Sequence, residues 1–394
     1  MTGSARTRLL DDLSARFLRE FGGPAPRVFF APGRINLVGA HLDYNGGDVL
    51  PMAVDQGVFV AARLSPRPQL RLRSLDQELA VDVEVAQVGN RTQPAFGWAG
   101  YPLGVWHSFR DKCALAAGVD LVFGGNLPMA SGLSSSAAIE VATALALDAL
   151  HDTRLDRQTL ALLAHRAETG FVGLRCGIMD QFASALGKAG HVLLLHCAGP
   201  RWEHVPFDPL ACEVLVMDTR RPRHLARTGF NERVAQCATV HELLRTHVRD
   251  LPHLALYTLA DVEAAKGAID ELLFRRARHV VTEMVRLASG VAALRRHDYQ
   301  ALGQALNDSH SSTAGDYQVS CAELDVITDA ARACDGVFGA RLTGAGFGGC
   351  AIALLRPGAG ATVPLQVAAV FQRRFGVAPV FDLLRAGTGP IELR

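Results

Sequence analysis

The chain of 394 residues predicts a mixed fold of helices and strands, arranged as one large or two medium domains. Three observations carry this. Hydrophobic residues make up 49% and charged residues 20%, an ordinary balance for a globular enzyme with ample core. Stretches with strand and helix patterning follow one another along the chain. Three turns rich in glycine or serine interrupt them, at 31–47, 128–138 and 343–350.

Taken in order, Leu9 to Phe21 has helical apolar spacing and stops at Gly22-Gly23-Pro24. Arg27 to Ala31 is a short strand. Val49 to Ser65 mixes β-branched and apolar residues and reads as paired strands. Ala99 to Ala117 reads as a helix, and Leu121 to Gly124 as a buried strand entering the serine turn. Ala137 to Leu150 and Leu155 to Thr169 follow as helices. Cys176 to Leu186 starts as a turn and continues helically. His191 to His196 and Glu213 to Asp218 are strands. Arg233 to Arg296 is helix-rich and charged, with breaks near Pro252 and Gly267. Val337 to Leu342 and Ala351 to Leu355 read as strands around the third turn. The one soft boundary is Gly199-Pro200, which divides the chain into 1–200 and 201–394.

Composition narrows the partners. Forty basic residues face 39 acidic ones, for a net charge of +1, so no large positive field exists to attract nucleic acid. No apolar run approaches the roughly 20 residues that span a membrane, and Met1 to Glu20 does not read as a signal peptide. The eight cysteines are scattered without a C-x-x-C pair, which suits reduced thiols in a cytoplasm. The 14 histidines form no H-E-x-x-H arrangement, so a protein-held zinc is not expected. Oligomeric state is not legible.

The serine turn, Pro128-Met129-Ala130-Ser131-Gly132-Leu133-Ser134-Ser135-Ser136-Ala137-Ala138, is the most informative segment. Small residues let the backbone approach an anion, and the helix that follows points its positive end at the same place. The spacing is not that of the common phosphate loop, and no lysine follows. A nucleotide here would be held by backbone N–H groups and hydroxyls. A serine-rich helix cap would look the same. In the segment from Ala31 to Gly47, Arg34, Asn36, His41 and Asp43 crowd a glycine-punctuated loop able to present several hydrogen-bonding groups to a polyol, or merely to face water. Thr343 to Cys350 is a glycine turn that a plain hairpin would also explain.

Together, in this order and spacing, these motifs resemble the galactokinase branch of the GHMP small-molecule kinases, over nearly the whole chain. Gly33-Arg34-Ile35-Asn36-Leu37-Val38-Gly39, His41, Asp43-Tyr44-Asn45-Gly46-Gly47 and Leu50-Pro51 echo the galactokinase signature. The serine turn matches the family's ATP loop. Cys176 to Phe182 resembles the segment with the catalytic aspartate, and Arg275 to Glu283 and Val319 to Asp325 also follow the pattern. The resemblance implies an α+β, two-lobed GHMP kinase fold with the active site between the lobes. Residues 1–200 would carry the sugar motif and ATP loop, and 201–394 the third motif. It implies transfer of the γ-phosphoryl of ATP to the anomeric hydroxyl of galactose or a galactose-type sugar.

By the same resemblance, Asp180 is the base for the anomeric proton, and Arg34 lies against it and the transferring phosphate. Ser136 (or Ser135) and Glu168 are magnesium ligands. His41, Asp43, Gly177 and Asp180 face the sugar. Gly132, Leu133, Ser134, Ser135, Ser136 and Ala137 hold ATP, with Gly344 and Gly346 of the third motif and Trp98 near adenine. These roles are physically coherent. Phosphoryl transfer depends on positioning and charge neutralisation. Arginine orients a carboxylate base, and magnesium takes hard oxygen ligands.

The chain departs from the pattern at the sugar. Ala40 stands where galactokinases carry the glutamate that contacts the C6 hydroxyl. Phe230 replaces a sugar-contacting tyrosine, and Arg227 a serine. An unpaired buried C6 hydroxyl costs galactose about 1–3 kcal/mol. A glutamate about 4 Å from a C6 carboxylate would repel it by roughly 4 kcal/mol at a dielectric near 20, and alanine removes that. The Gly-Ala-His form resembles galacturonokinases, and Arg221, Arg223 or Arg227 could pair with a uronate. L-arabinose, which lacks C6, suits a smaller, less polar rim. A non-catalytic sugar sensor of the same family is the rival class. The intact serine turn, Asp180 and Arg34 favour catalysis.

Overall fold

The computed structural model describes residues 3–89, 96–113, 115, 117–127, 132–222 and 226–393. Pro128 to Ser131 of the serine turn and Arg223 lie outside them, as does the Arg227 side chain. The chain opens with helix α1 (Gly3–Phe21), then strands β1 (Arg27–Asn36), β2 (Asp48–Val49), β3 (Pro51–Ser65), β4 (Gln69–Ser74) and β5 (Val81–Glu84). Helix α2 (Gly100–Phe109), β6 (Gly118–Gly125), α3 (Ser135–His151), α4 (Arg157–Arg166) and α5 (Met179–Leu186) follow. Then come β7 (His191–His196), β8 (Arg201–Pro206) and β9 (Glu213–Asp218). The second half holds α6 (Ala226–His247), α7 (Leu259–Ala264), α8 (Glu271–Arg295), α9 (Tyr299–Gly315) and α10 (Ala322–Arg332). It ends with β10 (Val337–Leu342), β11 (Cys350–Leu355), α11 (Val363–Phe375), β12 (Val380–Leu384) and β13 (Ile391–Glu392).

Among the described residues a six-stranded sheet runs β13-β1-β3-β6-β4-β5 and a four-stranded one β10-β11-β9-β12. A small β2-β7-β8 sheet joins them in sequence, and Gly199-Pro200 occupies its β7–β8 turn. This is an α+β chain, as the sequence led us to expect. The last strand returns to the first sheet, where Phe29 and Phe30 of β1 face Glu392 and Ile391 of β13. Helices α2, α3, α4 and α5 bury an alanine- and leucine-rich core against one face of that sheet, and α1 covers the other with Leu13 and Phe17.

Several expectations change. The segment from Ala31 to Asn36 is not loop but strand. Proline and glycine read as breakers, yet β1 continues through them because its register shifts between Pro32 and Arg34. A Cβ on Gly33 would lie 2.6 Å from the Leu133 carbonyl oxygen, so glycine is what lets the serine turn dock on the strand. The expected paired strands of 49–65 are one long strand, β3, after the two-residue β2. The helix expected over 99–117 stops at Phe109, whereas Cys176–Leu186 does begin as a turn and becomes helical at Met179. The helix over 155–169 ends at Arg166 and opens into a wider π-helical turn, Ala167–Val172. Such turns re-aim side chains, and this one carries Glu168, which is 3% exposed.

Candidate active site

Arg34 emerges from the bulge of β1, and Asp180 from the first turn of α5. Arg34 Nε and Nη2 donate to Asp180 Oδ1 and Oδ2, both at 2.7 Å. This two-pronged pairing fixes the carboxylate plane as well as neutralising it. Ser134 Oγ donates to Oδ2 at 2.5 Å. The serine turn also grips the arginine, since the Gly132 and Leu133 carbonyls accept from Arg34 Nη1 at 2.8 Å and its backbone N–H at 3.0 Å. Ser134 therefore serves the aspartate directly. It sits at the N-cap of α3 with φ 58° and makes no capping bond with its side chain. The first-turn N–H groups of α3 thus lack that partner. Ala137 is buried in the core and Leu133 nearly so, so neither side chain is free to meet a ligand.

Glu168 meets the Ser136 hydroxyl. Its Oε2 accepts from Gln181 Nε2 at 2.5 Å and from the Cys176 thiol at 3.3 Å. Burial first, and the charge of Asp180 second, push its pKa up. Gln181 also donates to Glu140 Oε2 at 3.0 Å. Glu140 is fully buried, and burial followed by the Glu168 charge raises it further. A carboxylate pair held at this distance from water favours added positive charge.

A cavity of about 300 Å³ opens over Asp180. Arg34, Ala40, His41, Asp43, Ser136, Glu168, Gly177, Phe230 and Gly344 all line it. The cavity thus gathers most of the expected acceptor residues from distant parts of the chain. A Cβ on Gly177 would fall 2.2 Å from Asp43 Oδ2, so glycine there admits the carboxylate. Burial and the Asp180 charge raise Asp43 to about 7. Burial, with His279 next, lowers His41 to about 3, so its ring is neutral near pH 7. Its Nδ1 lies 2.9 Å from the Tyr44 hydroxyl, and Nε2 has no partner among the described residues. Phe230 packs against His41 and Tyr44 with ring centroids 5.9 and 5.2 Å away. Ala40 and Phe230 give this part of the cavity an apolar wall.

A second cavity of about 380 Å³ meets the first at Tyr101 and Ser136. Trp98, Phe123, Gly125, Ser135 and Ile139 line it, together with Ser74, Asp76 and Gln77. Trp98 donates Nε1 to the Leu79 carbonyl at 3.1 Å and stands edge-on to Phe123. In the third motif Gly344 reaches the first cavity, while Gly346 is pressed against the Val319 carbonyl. Tyr101, Gln181, Glu140 and the third-motif neighbour Ala345 were not found from sequence. Tyr101 belongs to none of the sequence motifs. The Glu140–Gln181 pair had a detectable signal, since polar residues stand at core positions of α3 and α5.

Comparisons with known proteins place the chain in a family. The family described as "Galactokinase galactose-binding signature" matches residues 15–64. "GHMP kinases N terminal domain" matches 100–188, and "GHMP kinases C terminal" matches 291–373. The chain is 37% identical over 378 residues to a galactokinase of Exiguobacterium sibiricum, covering 96% of each. It is 37% identical over 379 residues to one of Streptococcus thermophilus, covering 96% of this chain and 97% of that one. The Lactococcus lactis galactokinase crystallised with galactose superposes with a TM-score of 0.94 at 32% identity, over 98% of this chain and all of that one. A Methanococcus jannaschii mevalonate kinase shares the fold at a TM-score of 0.67 and 18% identity, over 92% of this chain and 98% of that one. A matched signature on the strand that bears Arg34, and near-complete coverage of relatives at this identity, lead to one assignment: the chain belongs to the galactokinase branch of the GHMP kinases.

Proposed function

We propose that this protein transfers the γ-phosphoryl group of ATP to the anomeric hydroxyl of galactose. One observation carries the reading: Asp180 is held by Arg34 and Ser134 at the floor of a cavity that also presents Asp43 and His41, and this cavity opens into a second one beside Ser135 and Trp98. The sugar would occupy the first cavity and the nucleotide the second, with its phosphates meeting the N-terminus of α3. Asp180 accepts the proton of the C1 hydroxyl. The freed oxygen forms its bond to the γ-phosphorus as the bond from that phosphorus to the bridging oxygen breaks, and ADP departs. Arg34 orients Asp180 and stands by the transferring group. Asp43 and His41 Nε2 would bind sugar hydroxyls.

Magnesium fits the donor set. Ser136 supplies a hydroxyl, Glu168 a buried carboxylate, and the nucleotide the remaining oxygens. When bound, the ion would neutralise phosphate charge. The scattered cysteines suit a cytoplasmic enzyme.

A second reading concerns the acceptor alone. Ala40 and Phe230 are both apolar where they line the cavity. This suits a galactose-like sugar without a C6 hydroxyl, such as L-arabinose. Galacturonate has less support. Arg34, the one arginine among the described lining residues, is taken up by Asp180, and Arg221 pairs with Glu323. The test is ADP release with galactose, galacturonate, L-arabinose and N-acetylgalactosamine. Galactose should give the highest kcat/KM. A higher value for L-arabinose replaces the acceptor, and binding without turnover on every sugar replaces catalysis with sensing.

A further inference from the structure

The backbone of the sugar motif is held by side chains from another part of the chain. In the middle of α8, Glu283 and His279 lie one turn apart on the same face, and both are fully buried. Glu283 Oε1 accepts the N–H groups of Gly39 at 2.9 Å and Ala40 at 3.0 Å, and the Ser309 hydroxyl at 2.6 Å. Its Oε2 accepts from Arg286 Nε at 2.6 Å. His279 Nε2 lies 3.1 Å from the Ala40 carbonyl. A carbonyl only accepts, so Nε2 carries the proton. Burial lowers His279 to about 4, which leaves its ring neutral, so Nδ1 accepts from Ser312 Oγ at 2.8 Å. Burial alone would raise Glu283, but His279, Arg286 and Arg341 outweigh it and hold it at about 2.

Both polar groups of the Ala40 backbone are therefore fixed from α8. The residues on either side need such fixing. Gly39 has φ 95° and His41 φ 59°, and the latter is a left-handed conformation that a residue with a Cβ adopts only when its surroundings impose it. Past this bend the chain presents His41 and Asp43 to the cavity. Neither Glu283 nor His279 lines that cavity.

We propose that Glu283 and His279 are positioning residues for the acceptor. They impose the bend at Gly39–His41 that aligns His41 and Asp43, and so set sugar affinity without touching the sugar. This rests on the reading of the first cavity as the sugar site. It also assigns work to the Arg275–Glu283 segment that the chemistry of Asp180 leaves unused.

The experiment measures steady-state kinetics in both substrates, galactose binding by calorimetry, and thermal unfolding, for wild type, Glu283→Gln and Ser309→Ala. Ser309→Ala removes one bond to Glu283 and leaves its charge, so it serves should Glu283→Gln not fold. The expected result is a galactose KM and dissociation constant raised about tenfold or more in Glu283→Gln and about threefold in Ser309→Ala, with kcat and the ATP KM within twofold. Galactose constants unchanged in folded variants overturn the clamp alone. So does a loss of kcat and both affinities in step with the unfolding temperature, which marks a merely structural role. A wild type that binds no galactose overturns both the clamp and the sugar-site reading.

Discussion

The two ends of the first cavity are built on different principles. At the end that holds Asp180, the carboxylate on α5 accepts three hydrogen bonds, two from Arg34 on β1 and one from Ser134 of the serine turn, and the Gly132 carbonyl of that turn anchors Arg34 in its place. Charge meets charge there, and each side chain has one possible task. At the far end, Ala40 and Phe230 present carbon, and what is held firmly is backbone, by Glu283 and His279. On the proposed function, a substitution among Asp180, Arg34 and Ser134 removes a hydrogen bond or charge on which the transfer depends. The proposed recognition end could exchange side chains on a fixed backbone, and Ala40 and Phe230, the positions where the sequence was expected to depart from the galactokinases, lie there. Chemistry and selectivity are thus separable within one cavity.

Four variants test that separation, from the largest expected effect down. Asp180→Ala should lower kcat by about 10²–10⁴-fold, the worth of a general base, while ATP affinity stays within a few-fold. Equal loss of nucleotide binding would break the comparison, since Asp180 would then be scaffolding. Gly177→Ala places a methyl group against Asp43 and should raise the sugar KM about tenfold or more, given the roughly 1–3 kcal/mol cost of overpacking. An unchanged KM means the carboxylate moves freely and does not define the site.

Asp43 supplies a pH test. Its value of about 7 lies above its ordinary 3.8, so the folded protein binds this proton more tightly than the unfolded chain. The stabilisation is complete below the ordinary value and is lost as pH rises through about 7. Asp43→Asn should therefore gain thermal stability relative to wild type between pH 4 and 7, level off above 8, and bind sugar more weakly. The wild-type sugar KM should fall by up to about tenfold from pH 6 to 8 as the carboxylate ionises. A stability difference that is flat with pH removes the titration from Asp43. The smallest effect is expected at the rim. Ala40→Glu should raise the ratio of galactose to L-arabinose efficiency several-fold, on the scale of one buried hydrogen bond. An unchanged ratio means position 40 does not read C6.

What was legible in the sequence follows the same division. The serine turn stood out by its small residues, whereas Arg34, Asp180 and Glu168 were named through the resemblance of their motifs to the galactokinases. Pro32 and Gly33 misled, because a bulge lets them sit inside a strand. Ser134 was grouped with the nucleotide because its neighbours Ser135 and Ser136 share its chemistry. Only its left-handed backbone turns it toward Asp180. The Glu140–Gln181–Glu168 array joins three segments, so polar residues at core positions of α3 and α5 hint at it while its hydrogen-bond partners appear only on packing.

The pairing of β13 with β1 has a consequence for biosynthesis. Arg34 is translated early, yet the outer edge of its strand stays open until Ile391 and Glu392 leave the ribosome and Arg27 finds Glu392. The nascent chain thus carries an unpaired strand edge until residues 365 positions beyond Arg27 are made, the condition under which chains associate wrongly. Substitutions at Ile391 or Glu392 should therefore lower the yield of folded protein more than their small contact area suggests.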